Sequence, residues 1–147
     1  MISPELLRRY PYYADFNESS LKEVAMISDE VAAQGGKTLF SEGDSAEAMF
    51  ILLEGEVDIR YTLGDGQQRT IDTVVAGDLL VWSTLVAPYR CTASGVTRKG
   101  CKLISINGSK LRALCQKDHD LGYRMLISVT QLLASRLEGA RVQLAAA

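Results

Sequence analysis

The side chains best suited to chemistry are few, and their spacing argues for binding rather than catalysis. Cys91, Cys101 and Cys115 are odd in number and ten or more residues apart. That spacing fits neither a small disulfide framework nor a CxxC metal site, so buried, idle thiols are expected. His119 is the single histidine, flanked by Asp118 and Asp120 at a predicted helix boundary. A metal ion would need further ligands at suitable spacing, and a nucleophile would need a Ser-His or Cys-His arrangement; neither is evident, so a solvated histidine is expected. Gly64-Asp65-Gly66 reads as a hairpin turn rather than a phosphate-cradling Walker loop. No enzymatic activity, metal or cofactor is expected.

The elements that position these residues belong to one domain. The chain has 147 residues, 47% apolar and 23% charged, which is enough for one core and cramped for two. No stretch approaches the roughly 20 apolar residues needed to span a bilayer. The N-terminal MISPELLRRYPYY carries charges where a signal peptide needs an apolar centre, so a cytoplasmic location and no membrane association are expected. The net charge is -2 and the only basic cluster, Arg98, Lys99 and Lys102, is short, so direct DNA binding is not expected.

Three zones follow along the chain. Residues 1–28 read as helices: Ser3 and Pro4 form an N-cap and N1 pair, Pro11 stops what they start, and Asn17 caps an amphipathic segment carrying Leu21, Val24, Ala25 and Ile27. Residues 29–106 read as many short strands, with glycines about every ten residues. Phe50 and Leu52, then Val57, Ile59 and Tyr61, alternate with other residues; Asp65-Gly66 supplies the positive φ angles of a tight turn; Arg69 to Val75 returns. The last clear strand is Cys101 to Ile106, with Leu103 and Ser105 opposite Ile104 and Ile106. Residues 107–147 read as helices, the first capped by Asn107. The second carries one stripe of Leu126, Val129, Leu133, Leu137, Ala140 and Leu144 and another of Leu121, Met125 and Leu132. One stripe can cover the sheet while the other meets a partner in a homodimer; the alternative buries both within one subunit.

This order acquires a specific resemblance at Leu39-Phe40-Ser41-Glu42-Gly43-Asp44 followed by Met49-Phe50-Ile51-Leu52-Leu53-Glu54-Gly55-Glu56-Val57. The pattern resembles the cyclic nucleotide-binding domain of the catabolite-activator and protein kinase A regulatory type, and the likeness continues at Gly77-Asp78-Leu79-Leu80 and in the closing RLEGARVQL helix. It implies a mainly β fold, an antiparallel β-roll or jelly roll with N-terminal helices and a long C-terminal helix. Gly43 and Gly55 fall where strands end in sharp turns that a positive φ permits.

The resemblance also implies a ligand site. The family holds a cyclic nucleotide in a cassette whose short helix presents backbone N–H groups to the phosphate, and the corresponding stretch here runs from Gly77 through Leu80, Val81, Trp82 and Ser83 to Arg90, Cys91, Thr92 and Ala93. Arg90 stands where the family places its phosphate-pairing arginine, a planar fork that matches two oxygens at once. Ile71 stands on the strand that touches base or sugar, and Arg136 where a C-terminal helix residue reaches the ligand in some members. Where the family has glycine then glutamate for the ribose 2′-hydroxyl, this chain has Val81 then Trp82. Losing that charged hydrogen bond weakens binding roughly 10- to 150-fold. Trp82 and Tyr89 either close a core or stack on a ligand.

The implied function is a regulatory sensor that binds cyclic AMP, cyclic GMP or a related anionic ligand and signals through its C-terminal helix to a homodimer or a downstream protein. The alternative is a degenerate roll that binds no nucleotide and serves as a protein-interaction or dimerisation module. No helix-turn-helix is read beyond the long helix.

Overall fold

The computed structural model describes residues 1–147. Ser3 Oγ accepts the Glu5 N–H at 3.3 Å and Pro4 opens α1 (Pro4–Arg8), after which Pro11 starts a single 3-10 turn ending at Tyr13. Asn17 caps α2 (Glu18–Met26), its Oδ1 accepting from Ser20 N at 2.8 Å. The strands are β1 (Ser28–Ala33), β2 (Thr38–Phe40), β3 (Ala48–Glu54), β4 (Glu56–Thr62), β5 (Gln68–Val75), β6 (Leu79–Leu80), β7 (Ser94–Thr97) and β8 (Cys101–Asn107), with a 3-10 turn at Trp82–Leu85 after β6. Helices α3 (Gly108–Lys117) and α4 (His119–Ala146) complete the chain.

The strands form two antiparallel four-stranded sheets, ordered β1-β8-β3-β6 and β2-β7-β4-β5. This is the antiparallel roll with flanking helices that the resemblance implies. Along β3, β6 and β8 neighbouring side chains enter different cores, because a strand sends successive residues to opposite faces. Met49, Ile51, Leu79, Ile104 and Ile106 pack against the helices, while Leu52, Leu80 and Leu103 pack between the sheets. Burying each such side chain contributes about 1.5–3 kcal/mol, so sheet one is anchored from both sides.

The turns largely follow the glycines. Gly43 and Gly55 lie at φ +87° and +105°. At the β4–β5 turn the expectation needs correcting: only Gly66 has a positive φ, at 85°, and Asp65 does not. The chain pairs Leu63 with Gln67 and closes Gly66 N on Leu63 O at 2.9 Å, giving a three-residue loop in which only the last position is left-handed. Asp65 contributes through its carboxylate, which accepts the Gln67 N–H at 3.0 Å.

The two stripes of α4 also differ from the reading. Val129 and Leu133 pack in the helical core with Leu121, Met125 and Leu132, whereas Leu126, Leu137 and Leu144 are exposed. The reason is length: the helix meets the domain mainly over its first half, and beyond Leu133 only Arg136 is partly covered. Polar anchors hold its start. Asp118 caps it through Oδ1 to Leu121 N at 3.2 Å and takes the Ser20 hydroxyl on Oδ2 at 3.1 Å. These donors, the Leu121 N–H foremost, hold the Asp118 carboxyl below its ordinary pKa. His119 beside it is exposed. No helix is long and apolar enough to cross a membrane.

Candidate functional site

Between the sheets lies a cavity of about 350 Å³. One wall is the inner face of sheet two, where Ile59 and Tyr61 of β4 stand beside Ile71 and Asp72 of β5. A register shift between Ile59 and Arg60 leaves Ile71 without an opposite partner, which is how two successive residues of β5 reach one cavity. The facing wall is Leu80, Val81, Trp82 and Ser83; Cys91, Thr92 and Ala93 close one end with Phe40, and Arg136 enters from α4. Of the residues singled out in the sequence, Ile71, Leu80, Val81, Trp82, Ser83, Cys91, Thr92 and Arg136 therefore line a single space. Gly77 and Arg90 do not.

Arg90 lies outside for a local reason. It forms an isolated antiparallel bridge with Ser45, fixed by Cys91 N to Asp44 O and Ala46 N to Tyr89 O, both 2.8 Å. In extended backbone this turns Cys91 inward and Arg90 outward. The exposed Arg90 guanidinium donates to Gly43 O at 3.0 Å. Gly77, at φ +95°, gives its N–H to Leu52 O at 2.7 Å and shapes the turn before β6.

Helices grip the backbone of this wall at successive points. The Tyr12 hydroxyl donates to Gly77 O at 3.1 Å, Arg136 Nη2 to Leu79 O at 3.0 Å, and Arg112 Nη1 of α3 to Thr84 O at 2.9 Å. Burial, with the Asp78 carboxylate close by, pushes the Tyr12 phenol above its ordinary pKa, so it stays a donor at neutral pH. Arg112 also lies 4.7 Å over the centre of the Tyr89 ring. Tyr89 is thus a platform for α3 outside the cavity, whereas Trp82 is a cavity wall that also packs against the helical core.

Val81 carries strain. It is nearly buried and sits at φ +65°, ψ +56°, a left-handed conformation that a β-branched residue adopts at a cost of about 1–3 kcal/mol. The Thr84 hydroxyl bonded to Val81 O at 2.8 Å and the Thr84 N–H to the same carbonyl help hold it there. Next to it, Ser83 is only 4% exposed. All three thiols are free; burial raises the pKa of Cys91, with Asp44 adding to the effect, and pushes Cys115 up to about 11. The basic cluster is engaged too, Arg98 with Asp58 at 3.0 Å and Lys99 with Glu56 at 3.1 Å.

The roll, the glycine-turn motif and this cavity coincide with a known sequence pattern. The pattern of the cyclic nucleotide-binding domain matches residues 30–118. The chain belongs to the cyclic nucleotide-binding domain family. A solved protein of Geobacter metallireducens named for cyclic nucleotide binding shares 34% identity and superposes with a TM-score of 0.86, covering 93% of this chain and 99% of that one. The catabolite activator protein of Thermus thermophilus shares the fold at a TM-score of 0.71 and 22% identity, over 91% of this chain and 61% of that one. The CRP-like cAMP-activated global transcriptional regulator of Mycobacterium tuberculosis is 22% identical over 133 residues, 90% of this chain. The chain spans 58% of that regulator's length.

Membership explains the cassette, Ala93 at its end included, but several cavity residues escaped the sequence reading: Phe40, Ile59, Tyr61 and Asp72. A signal existed for two of them, since Ile59 and Tyr61 continue the alternation of Val57 and so share its inward face. Asp72 had none, because its inward turn depends on the β5 irregularity.

Proposed function

We propose that this domain is a cytoplasmic ligand sensor that takes a cyclic nucleotide or a related small organic anion between its sheets and reports occupancy through α4. The observation that carries this reading is Arg136. It lines the cavity while its Nη2 holds the Leu79 carbonyl from a helix whose outer half is free of the domain. An anion entering beside it gains a guanidinium partner, and the bond to Leu79 loosens in exchange. The position of α4 then depends on the ligand, provided the two positions differ in ligand affinity. Leu126, Leu137 and Leu144, 47%, 53% and 78% exposed, give this helix an apolar surface on which a second copy or a downstream protein can read the change.

Calorimetric titration with cyclic AMP and cyclic GMP, with hydrogen exchange followed along α4, tests the reading. Saturable binding is expected, weakened by the absence of a carboxylate at Trp82. Arg136→Gln is expected to lower affinity and remove the exchange response in α4. No saturation with either nucleotide would take nucleotides out of the reading.

A second reading has its own observation. Trp82 stands in the cavity wall and Arg90 is turned outward onto Gly43 O, so the roll can instead serve as an interaction module with no nucleotide ligand. Self-association through α4 that is unchanged by nucleotide would favour it.

A further inference from the structure

Resting on the sensor reading, we infer that Asp72 reads the edge of the nucleobase and makes the cavity prefer cyclic GMP to cyclic AMP. The lining holds one cation and one carboxylate, and they belong to facing walls. Arg136 is tied to sheet one through Leu79 O at 3.0 Å, whereas Asp72 is on β5 of sheet two. A cyclic phosphate is drawn to the guanidinium and repelled by the carboxylate. A bound nucleotide therefore lies with its phosphate toward Arg136 and its base toward Asp72. Ile71 and Asp72 are exposed, which puts that base at the mouth of the cavity.

The other polar groups cannot tell one purine from another. The hydroxyls of Tyr61, Ser83 and Thr92 both donate and accept, and the indole N–H of Trp82 finds a ring-nitrogen acceptor on either base. A carboxylate only accepts, and it has about four lone-pair sites with which to do so. Asp72 is in none of the protein's ion pairs. Its Oδ1 accepts the Thr73 N–H at 2.8 Å, which steadies the group and uses one of those sites. Guanine presents two adjacent donors, N1–H and the 2-amino group, which match the two oxygens of a carboxylate. Adenine presents one donor, the 6-amino group, beside the N1 lone pair, and that lone pair repels a carboxylate oxygen. Discrimination here comes from the repulsion as much as from the extra bond.

The test is a set of calorimetric titrations of the full chain with cyclic GMP, cyclic IMP and cyclic AMP, repeated with Asp72→Asn and Asp72→Ala. Cyclic IMP keeps the N1–H and lacks the 2-amino group. Cyclic GMP is expected to bind roughly fivefold or more tightly than cyclic AMP, with cyclic IMP between them, the gain being limited by screening at an exposed mouth. Asp72→Asn exchanges an acceptor for a donor, so it should lower cyclic GMP affinity roughly fivefold and change that of cyclic AMP less than about twofold. Thermal unfolding checks that each variant is folded, and Asp72→Ala keeps the test open if Asp72→Asn is not. Equal losses for all three nucleotides would assign the carboxylate to the sugar they share and overturn the inference. A preference for cyclic GMP that survives both substitutions would overturn it too, as would cyclic IMP binding as tightly as cyclic GMP. Cyclic AMP binding as tightly as cyclic GMP, or more so, would overturn it and leave the sensor reading standing. Saturation by none of the three would overturn the inference and take nucleotides out of the sensor reading as well.

Discussion

The core under the helices and the core between the sheets share strands β3, β6 and β8, yet the cavity that takes in Arg136 is walled mainly by the second. The first encloses 16 side chains and is closed by the four α-helices and the 3-10 turn ending at Tyr13, which can shift until they fit. The second has 9, and its opposite layer is another sheet, whose backbone hydrogen bonds fix where each side chain can stand. A helix layer adapts to its core, while two facing sheets can diverge and leave room. The room here lies where sheet two ends at its β4–β5 edge and where α4 supplies Arg136 in place of an apolar side chain. Leu79 and Leu80 show the contrast within one dipeptide: the first is locked under helices, the second faces the cavity.

The largest effect that can break this comparison is in the closed core. Ile104→Ala, at a side chain with no exposure, is expected to cost about 2–5 kcal/mol in denaturant unfolding. Leu80→Ala is expected to cost about half as much, because space beside it is already open. Equal costs would mean that the cavity is closed in solution.

Next in size is the turn joining the sheets. At Gly55 an added Cβ would lie 2.6 Å from Cys101 Sγ and 2.7 Å from Gly100 O, at φ +105°. Gly55→Ala is therefore expected to destabilise by about 1–3 kcal/mol. Adding Cys101→Ala should recover only the part due to sulfur, and complete recovery would show that backbone conformation is not the cause.

A smaller effect of opposite sign sharpens the picture of the helical core. Tyr13 is fully buried and its hydroxyl has no partner, and burial drives its pKa far up. Tyr13→Phe is expected to stabilise by about 1 kcal/mol and raise the melting temperature. A loss of stability would place a hydrogen-bonded water or a protein partner at that oxygen.

The smallest effect is a dependence on pH at the start of α4. The folded pKa of Asp118 lies below its unfolded value, so its contribution is complete above about pH 4 and is lost as pH falls through the folded value. Asp118→Asn keeps a capping oxygen without the titration, and its acid unfolding limb should be flatter than that of the wild type. Superimposable limbs would contradict this assignment.

Much of this molecule is local information and therefore readable from the chain. The caps at Ser3, Asn17 and Asn107 each need only a polar oxygen and the N–H two or three residues on. The alternations of β3, β4 and β8 need only period two, and the left-handed turns at Gly43, Gly55 and Gly66 need only a residue without Cβ. The helices and short strands followed from these, while the roll and its cassette followed from the family resemblance carried by residues 39–57 and 77–80. The α4 stripes were less legible: their spacing is genuine, but which residues are covered depends on where the helix leaves the domain.

What only the tertiary structure decided is which arginine lines the cavity. In sequence Arg90 sits inside the cassette and Arg136 on a distant helix, and nothing in their neighbours orders them. The Ser45 bridge, formed across a long stretch of chain, turns Arg90 outward and Cys91 inward. The docking of α4 brings Arg136 onto Leu79 O. The chain by itself determined the elements and their family, because those rest on contacts between near neighbours. The direction of a side chain into a space between sheets rests on pairings between remote residues, and those exist only once the chain has folded.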